Sequence, residues 1–434
     1  MKHKSPILAF LLLALPVFLP AQSNRIYEFA SPGINAGWPI VRPYDASRHL
    51  TRYISSDGRH HFALMYNDPT VADTFDIPYE IEILDFRVMN DVIYYCGKLR
   101  GGRTGVIGNA YINIPSAGMV SYNYFTSRHV EKYSRMVVYE DETTDAPRSR
   151  LVAIGEGSFP EGYAYAVTYI ADAEGINITN NVKTRPMRRN ENGMEMLEDI
   201  CVVGQNIIIA GKNSDSENIG LILHKTTLAN PLGTALDDIY RYPGAGTIAD
   251  LRLTPSQQGD FMVAYRHQDS LHNDFTVLRA FKGQDLYNYC SQRYQKPLKG
   301  SVWDVIYMPV DHSCVLLENW ADSTNNTWVV YLWYCATGVY QAPILSRSDY
   351  HFFSLARADN SHYLTSGITN CWMYWDKTLP PFYTQCFPSK WINVFPLPNE
   401  EFFHHIYSTE IYLESIENDG EGYMNQTSIQ TICR

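Results

Sequence analysis

Four aspartates recur in similar surroundings: Asp85 in ILDF, Asp199 in LEDI, Asp250 in IADL and Asp304 in VWDV. Each stands where a short apolar run begins. Carboxylates gathered around one opening could bind Ca²⁺, or could divide general acid and base work between them. An aspartate at the start of a strand also has a plainer use. It accepts backbone N–H bonds and ties the strand to a neighbouring turn. A residue that recurs in each copy of a repeat serves the copy more readily than a unique ligand. Asp85, Asp199, Asp250 and Asp304 are the candidate ligand-binding residues on this reading. No catalytic residue, metal site or cofactor is assigned, and Ca²⁺ is the one ion considered.

Other constellations are poorer. His60-His61 and His404-His405 are adjacent pairs in strand-like segments. Neighbours in a strand point to opposite faces, so neither pair clamps one metal. No His-Glu-x-x-His spacing occurs. The run GGRTGVIG (101–108) has no following helix to cradle a phosphate and reads as a hairpin. There is no G-x-S-x-G nucleophile elbow and no Cys-x-x-Cys. Cys314 with Cys335, and Cys371 with Cys386, are placed to form disulfides, while buried free thiols suit the remaining cysteines equally. Trp303, Trp320, Trp328, Trp333, Trp372, Trp375 and Trp391 crowd into the last third. They could stack on sugar faces at a channel mouth, or fill the space between sheets.

The elements that carry these residues repeat. Segments 83–98, 197–212, 248–266 and 302–319 each hold an apolar strand, a polar turn and a second apolar strand. Weaker copies lie at 50–66, 134–157, 352–367 and 392–407, so the step is about fifty residues. Third strands follow, as in TGVIGNAYINI (104–114) and IGLILHKT (219–226), and then short Tyr-rich segments such as MVSYNYF (119–125). No amphipathic helix longer than about two turns stands out. Strands such as NIIIAG and WVVYLWY are apolar at successive positions, which requires cover on both faces of a sheet.

Four short strands per unit, repeated over nearly the whole chain, resemble a β-propeller. The resemblance implies an all-β fold of four-stranded antiparallel blades around a channel, seven blades favoured and eight the alternative. A two-sheet sandwich would explain the strands but not the step. No named subfamily's motif is present. Trp303-Asp304 falls on a first strand, unlike the Trp-Asp of WD repeats. Gly101-Gly102 lacks the copies that Kelch repeats carry, and ADSTNNTW (321–328) keeps only Thr327-Trp328 of a sialidase Asp-box. The leader and the degenerate repeats are similar to secreted propellers of Bacteroidota-type bacteria.

Residues 1–21 read as a cleaved signal peptide: Lys2 and Lys4, an apolar run over 6–20, then Ala21 at the cleavage site. Residues 22–434 are expected to be one propeller, secreted to the periplasm or beyond, with no transmembrane segment in the mature chain. With 45% hydrophobic residues the chain is no disordered polymer. A formal charge of −11 argues against nucleic acid as a partner. The 32 tyrosines against 18 phenylalanines suit strands with a wet side. Clear repeats without a catalytic constellation lead to a secreted, non-catalytic propeller that binds a protein or glycan at one ring face. The alternatives are an extracellular polysaccharide-acting enzyme of hydrolase or lyase type with carboxylates at the channel mouth, and a structural part of a cell-surface assembly.

Overall fold

The computed structural model describes residues 25–28, most of 39–333, and then the strand segments 352–357, 362–367, 371–376, 395–396, 402–403, 406–407, 410–418 and 424–433. The expected leader, His404-His405, and the side chains of all tryptophans except Trp303 lie outside the described residues.

The described chain is all β-strand and turn. Six sheets have four antiparallel strands and a seventh of the same pattern has three. In ring order, sheet 1 is Ile40–Pro43, Arg48–Ile54, His60–Tyr66 and Ala72–Asp76; sheet 2 is Ile81–Met89, Val92–Leu99, Gly105–Ile112 and Val120–Thr126. Sheet 3 is Val130–Asp141, Arg148–Gly157, Tyr165–Ile170 and Val182–Met187; sheet 4 is Met196–Val203, Asn206–Ser214, Ile219–Thr227 and Leu236–Tyr242. Sheet 5 is Gly246–Pro255, Asp260–Asp269, Asp274–Lys282 and Asn288–Gln295; sheet 6 is Gly300–Met308, Ser313–Trp320 and Thr327–Trp333. Sheet 7 is Phe352–Arg357, His362–Gly367 and Cys371–Asp376, and its outer strand is Arg25–Glu28 from the start of the chain.

The first strands touch in the order 1-2-3-4-5-6-7-1, so the sheets stand radially around a channel, as in a β-propeller. The cores lie between sheets rather than within one. Ile207 and Ile209 pack toward sheet 3, while Ile208 and Ala210, on the opposite face of the same strand, pack toward sheet 5. Phe261, Val263 and Tyr265 face sheet 4, and Met262 and Ala264 face sheet 6. This is why apolar residues occupy successive positions: each face of the strand is covered by a different neighbour.

Two sequence alignments shift. Segment 50–66 is the second and third strand of sheet 1, not the first and second, because any two apolar strands around a polar turn look alike. Its first strand is the short Ile40–Pro43. The eighth strand pair expected near 392 is a two-residue ladder, Phe395–Pro396 with Phe402–Phe403. It is followed by a three-stranded sheet of Ile406–Tyr407, Glu410–Asn418 and Met424–Cys433. GGRTGVIG is a hairpin, as expected, with Gly101 at φ 67°.

Each first strand of sheets 2 to 7 carries a break in register near the channel. In sheets 2, 3, 4 and 7 the residue just before the break faces a glycine of the second strand: Ile83–Gly97, Tyr133–Gly155, Leu197–Gly211 and Phe352–Gly367. A Cβ on Gly97 would stand 1.9 Å from the Glu82 carbonyl oxygen, so the glycine lets the first strand press inward as it bulges. Gly97→Ala forces backbone apart at this point. We expect it to lower unfolding stability by about 3 kcal/mol, read as a fall in denaturation midpoint.

Candidate functional site

The bulge points one residue per strand at the channel. From sheet 2 to sheet 7 the residues immediately after the register break are Asp85, Arg135, Asp199, Arg252, Asp304 and Ser354. Acid and arginine alternate. Each aspartate accepts the amide that follows the ring position in the next sheet. Met136 N reaches Asp85 Oδ2 at 3.2 Å, Leu253 N reaches Asp199 Oδ2 at 2.7 Å, and Leu355 N reaches Asp304 Oδ2 at 2.8 Å. Asp199 Oδ1 and Asp304 Oδ1 also accept their own following amides, at 2.9 and 3.0 Å. Ser354 Oγ meets Val41 N at 3.4 Å and closes the series onto sheet 1.

Three of the four candidate aspartates therefore share one ring and one job, stitching neighbouring sheets. Asp250 does not join them. It has φ 59°, lies within the register break, and faces Arg266 at 3.6 Å, while Arg252 takes the ring position. IADL resembles LEDI in letters, but the break in sheet 5 spans two residues and moves the equivalence to Arg252. Among the described residues no group of three or more His, Cys, Asp or Glu is placed to hold a metal ion.

Electrostatics follow from burial and pairing. Asp85 is fully buried, which pushes its pKa up, but Arg87 at 2.7 Å and Arg42 at 3.0 Å outweigh this and hold it below the usual carboxylate range. Burial dominates at Asp199 and raises its pKa against the pull of Arg135 and Arg252. Burial and then Arg87 lower Arg42, burial and then Arg135 lower Arg252, and burial brings Arg52 down to about 10. The arginines were missed in the sequence because they occupy alternate units and so break the visible repeat.

Cavities lie on either side of the ring. One of about 280 Å³ is lined by residues that follow it, including Val137, Ile200 and Pro255 with Arg42 and Arg87. The wider one, about 480 Å³, is lined by residues at or before it: Leu84, Ser134, Glu198, Trp303, Arg135 and Arg252. Arg52, His60, Glu82, Lys132, Glu156 and Tyr165 also line it, and Pro39, Ile40, Ile54, Met196 and Leu197 make its surface more apolar than polar. Each carboxylate here is engaged. Glu82 meets Lys98 at 3.1 Å and Glu156 meets Lys132 at 2.5 Å. Glu198 meets Lys212 at 3.0 Å and accepts Leu251 N at 2.7 Å.

The histidines of sheet 1 divide as strand geometry demands. His61 faces outward to Asp76 at 2.9 Å and stacks on Tyr53. His60 is buried and its Nδ1 accepts Ile83 N at 3.3 Å, which assigns the ring proton to Nε2. The expected Cys314–Cys335 disulfide is corrected. Cys314 is a free thiol turned into the core between sheets 5 and 6, against Met262 Sδ at 2.9 Å. Cys96 and Cys201 are free and buried, and Cys290 is disulfide-bonded.

No protein-family profile matches the chain, and no curated protein matches it. Solved structures do. The NanB sialidase of Streptococcus pneumoniae has 10% identity and TM-score 0.43, over 87% of this chain and 73% of that one. A Penicillium chrysogenum α-L-arabinanase complexed with arabinobiose has 7% identity and TM-score 0.43, over 82% and 99%. The expectation of a non-catalytic binding propeller finds no support in these comparisons, in which the matching structures are named a sialidase and an arabinanase. The likeness is one of fold, and the enzymatic alternative is taken up below from the geometry of the cavity. Among the described residues no helix is long and apolar enough to cross a membrane.

Two outcomes follow. Asp85→Ala leaves Arg42 and Arg87 facing each other without their shared anion and should cost about 3–5 kcal/mol in denaturant unfolding. Burial and then nearby Arg52 depress His60 to about 2, whereas the unfolded residue protonates near 6.5. The unfolded state therefore binds the extra proton as pH falls below 6.5, and this group removes up to about 1.4 kcal/mol of stability per pH unit down toward 2. His60→Asn, which keeps an acceptor for Ile83 N, should flatten the slope of stability against pH between 6 and 4 by that amount.

Proposed function

We propose that this protein is an extracellular enzyme that cleaves an anionic polysaccharide in the wide cavity. Residues 1–21 export it and the propeller of 22–434 serves as its single catalytic domain. The observation that carries the reading is the chemistry of the cavity wall. Its carboxylates are engaged by lysines or amides, and Arg52, Arg135, Arg252 and His60 Nε2 bring N–H groups to the same wall, with Arg252 also donating to the Trp303 and Leu251 carbonyls and Arg135 facing Asp199. Donors and cations set in a largely apolar wall fit a carboxylate or sulfate group on a sugar whose ring packs beside them. Trp303 and Tyr165 add the aromatic surface on which sugar rings stack.

The same wall indicates how a glycosidic bond is handled. Hydrolysis by a carboxylate pair needs two acids about 5 to 9.5 Å apart and free to move protons. The engaged glutamates and the amide-bound ring aspartates do not offer that. Tyr165 does keep its proton: burial, then Glu156 and Glu198, raise its pKa and hold the phenol neutral. Tyr165 donates that proton to the leaving glycosidic oxygen as a water adds to the anomeric carbon, the water's proton returns to the tyrosinate, and the arginines fix the acidic sugar beside it.

The test is reducing-end release from a panel of uronate-bearing, sulfated and neutral polysaccharides. Cleavage confined to acidic members is expected. Tyr165→Phe should lower kcat about 100-fold with KM within a few-fold, and Arg252→Gln should raise KM about tenfold. A panel with no acidic glycan cleaved, or a Tyr165→Phe enzyme with unchanged kcat, rejects the proposal.

A further inference from the structure

Three turns of sheets 1 and 2 meet beside the wide cavity. They are the turn before His60, which carries Arg59; the connection between the sheets, which carries Tyr79; and the turn after Leu99, which carries Arg100 and Arg103. Each leads within a few residues to the cavity wall: Arg59 precedes His60, Tyr79 runs into Glu82, and Lys98, bonded to Glu82, precedes Arg100. Arg100 staples the turns together. Its Nε donates to the Tyr79 carbonyl at 2.8 Å and its Nη2 to the Gly58 carbonyl at 2.5 Å, while its amide donates to the Glu80 carbonyl at 2.8 Å.

The arrangement exposes an aromatic ring with cations set against it. Tyr79 is 56% exposed, the Arg100 guanidinium lies 4.4 Å from its ring centre and that of Arg59 lies 5.6 Å away. Arg103 stands on the same turn with 86% of its side chain exposed, 3.9 Å from Glu131. Among the described residues the three arginines stand near the exposed Glu80, the partly exposed Glu131 and the exposed Asp76, which His61 engages, on a chain whose total charge is −11. Folding does not need a large aromatic held in the open. Hydrogen bonds on both sides fix its position, so a ligand would meet it without an ordering cost.

We infer that Arg59, Tyr79, Arg100 and Arg103 form an outer subsite that holds the part of an acidic polysaccharide chain extending beyond the wide cavity. The inference rests on the proposed function and adds a length requirement to it. One sugar packs on the Tyr79 ring, and carboxylate or sulfate groups of neighbouring units meet the guanidinium forks. Continuity with the cavity wall and the sign of the charge select this occupant.

The experiment uses the full-length protein and two probes of one cleaved polysaccharide, the polymer and its disaccharide, with calorimetric Kd values at two salt concentrations. The Arg59→Gln/Arg103→Gln double variant alters exposed side chains and leaves the Arg100 staple intact, and Tyr79→Ala is the second variant. Both should weaken polymer binding at least tenfold, leave disaccharide binding within twofold, and reduce the salt dependence of polymer binding. Equal losses for polymer and disaccharide, or no loss for either, overturn the subsite. Wild-type protein that binds the disaccharide as tightly as the polymer overturns the subsite alone. Wild-type protein that binds neither probe overturns the proposed function and the subsite with it.

Discussion

A sheet that is apolar on both faces cannot be stable alone, and this constraint governs the molecule. The second strands Val92–Leu99, Asn206–Ser214 and Asp260–Asp269 bury residue after residue. Fully burying each Ile, Val or Phe is worth about 1.5–3 kcal/mol, realised only when another sheet lies against that face. Five successive cores between sheets 1 and 6 meet the requirement, and contact of sheets 6 and 1 with sheet 7 meets it at both ends. An open row would leave two faces wet. The strand Arg25–Glu28, from the start of the chain, is hydrogen-bonded onto sheet 7 and so ties the two sides of the closure together.

Closure brings seven first strands together, and their crowding creates the next problem. A strand's polar backbone near a narrow channel must find partners. The register break, the glycine opposite it and the ring residue together form the solution. The bulge frees an amide, and the aspartate of the preceding sheet accepts it. An aspartate in every position would concentrate negative charge in one place. Arginine in alternate positions offsets it, and Arg135 Nε lies 3.7 Å from Asp199.

Much of this was legible in the sequence because it repeats. The apolar runs, the step between units and the positions of Asp85, Asp199 and Asp304 are translation-invariant, so one copy reveals the others. What was hidden breaks translation. Arg135 and Arg252 are equivalent to the aspartates in space but opposite in charge, and no pattern of like letters links them. Asp250 misled for the converse reason, its letters matching while a longer bulge displaced it. The wide cavity was invisible too. It gathers Arg52 and His60 from second and third strands, Tyr165 from a third strand and Trp303 from a first strand. Convergence of different strand types is a property of the ring, not of any unit. The glycine before Lys98 and Lys212 was the unused clue, because a strand-interior glycine marks a close backbone approach.

The ring also explains where chemistry can occur. Its aspartates are held by amides that the fold needs, so they form a floor rather than a reagent. On the near side of that floor Arg252 is tied to the Trp303 and Leu251 carbonyls and Arg135 to Asp199, so these donors are held in place by the ring. Arg42, Arg52, Arg87, Arg135, Arg252 and Lys132 face Asp85, Asp199, Asp304, Glu82, Glu156 and Glu198 in and around the channel, so cations match carboxylates there on a chain that is acidic as a whole. Like charges about 4 Å apart repel by roughly 4 kcal/mol at an effective dielectric of 20. Burial and then Arg87 lower Arg42, and burial and then Arg135 lower Arg252, so repulsion between neighbouring arginines is the second cause of each depression. An anion bound among these groups would offset that repulsion, which is the physical ground for the proposed preference for an acidic sugar.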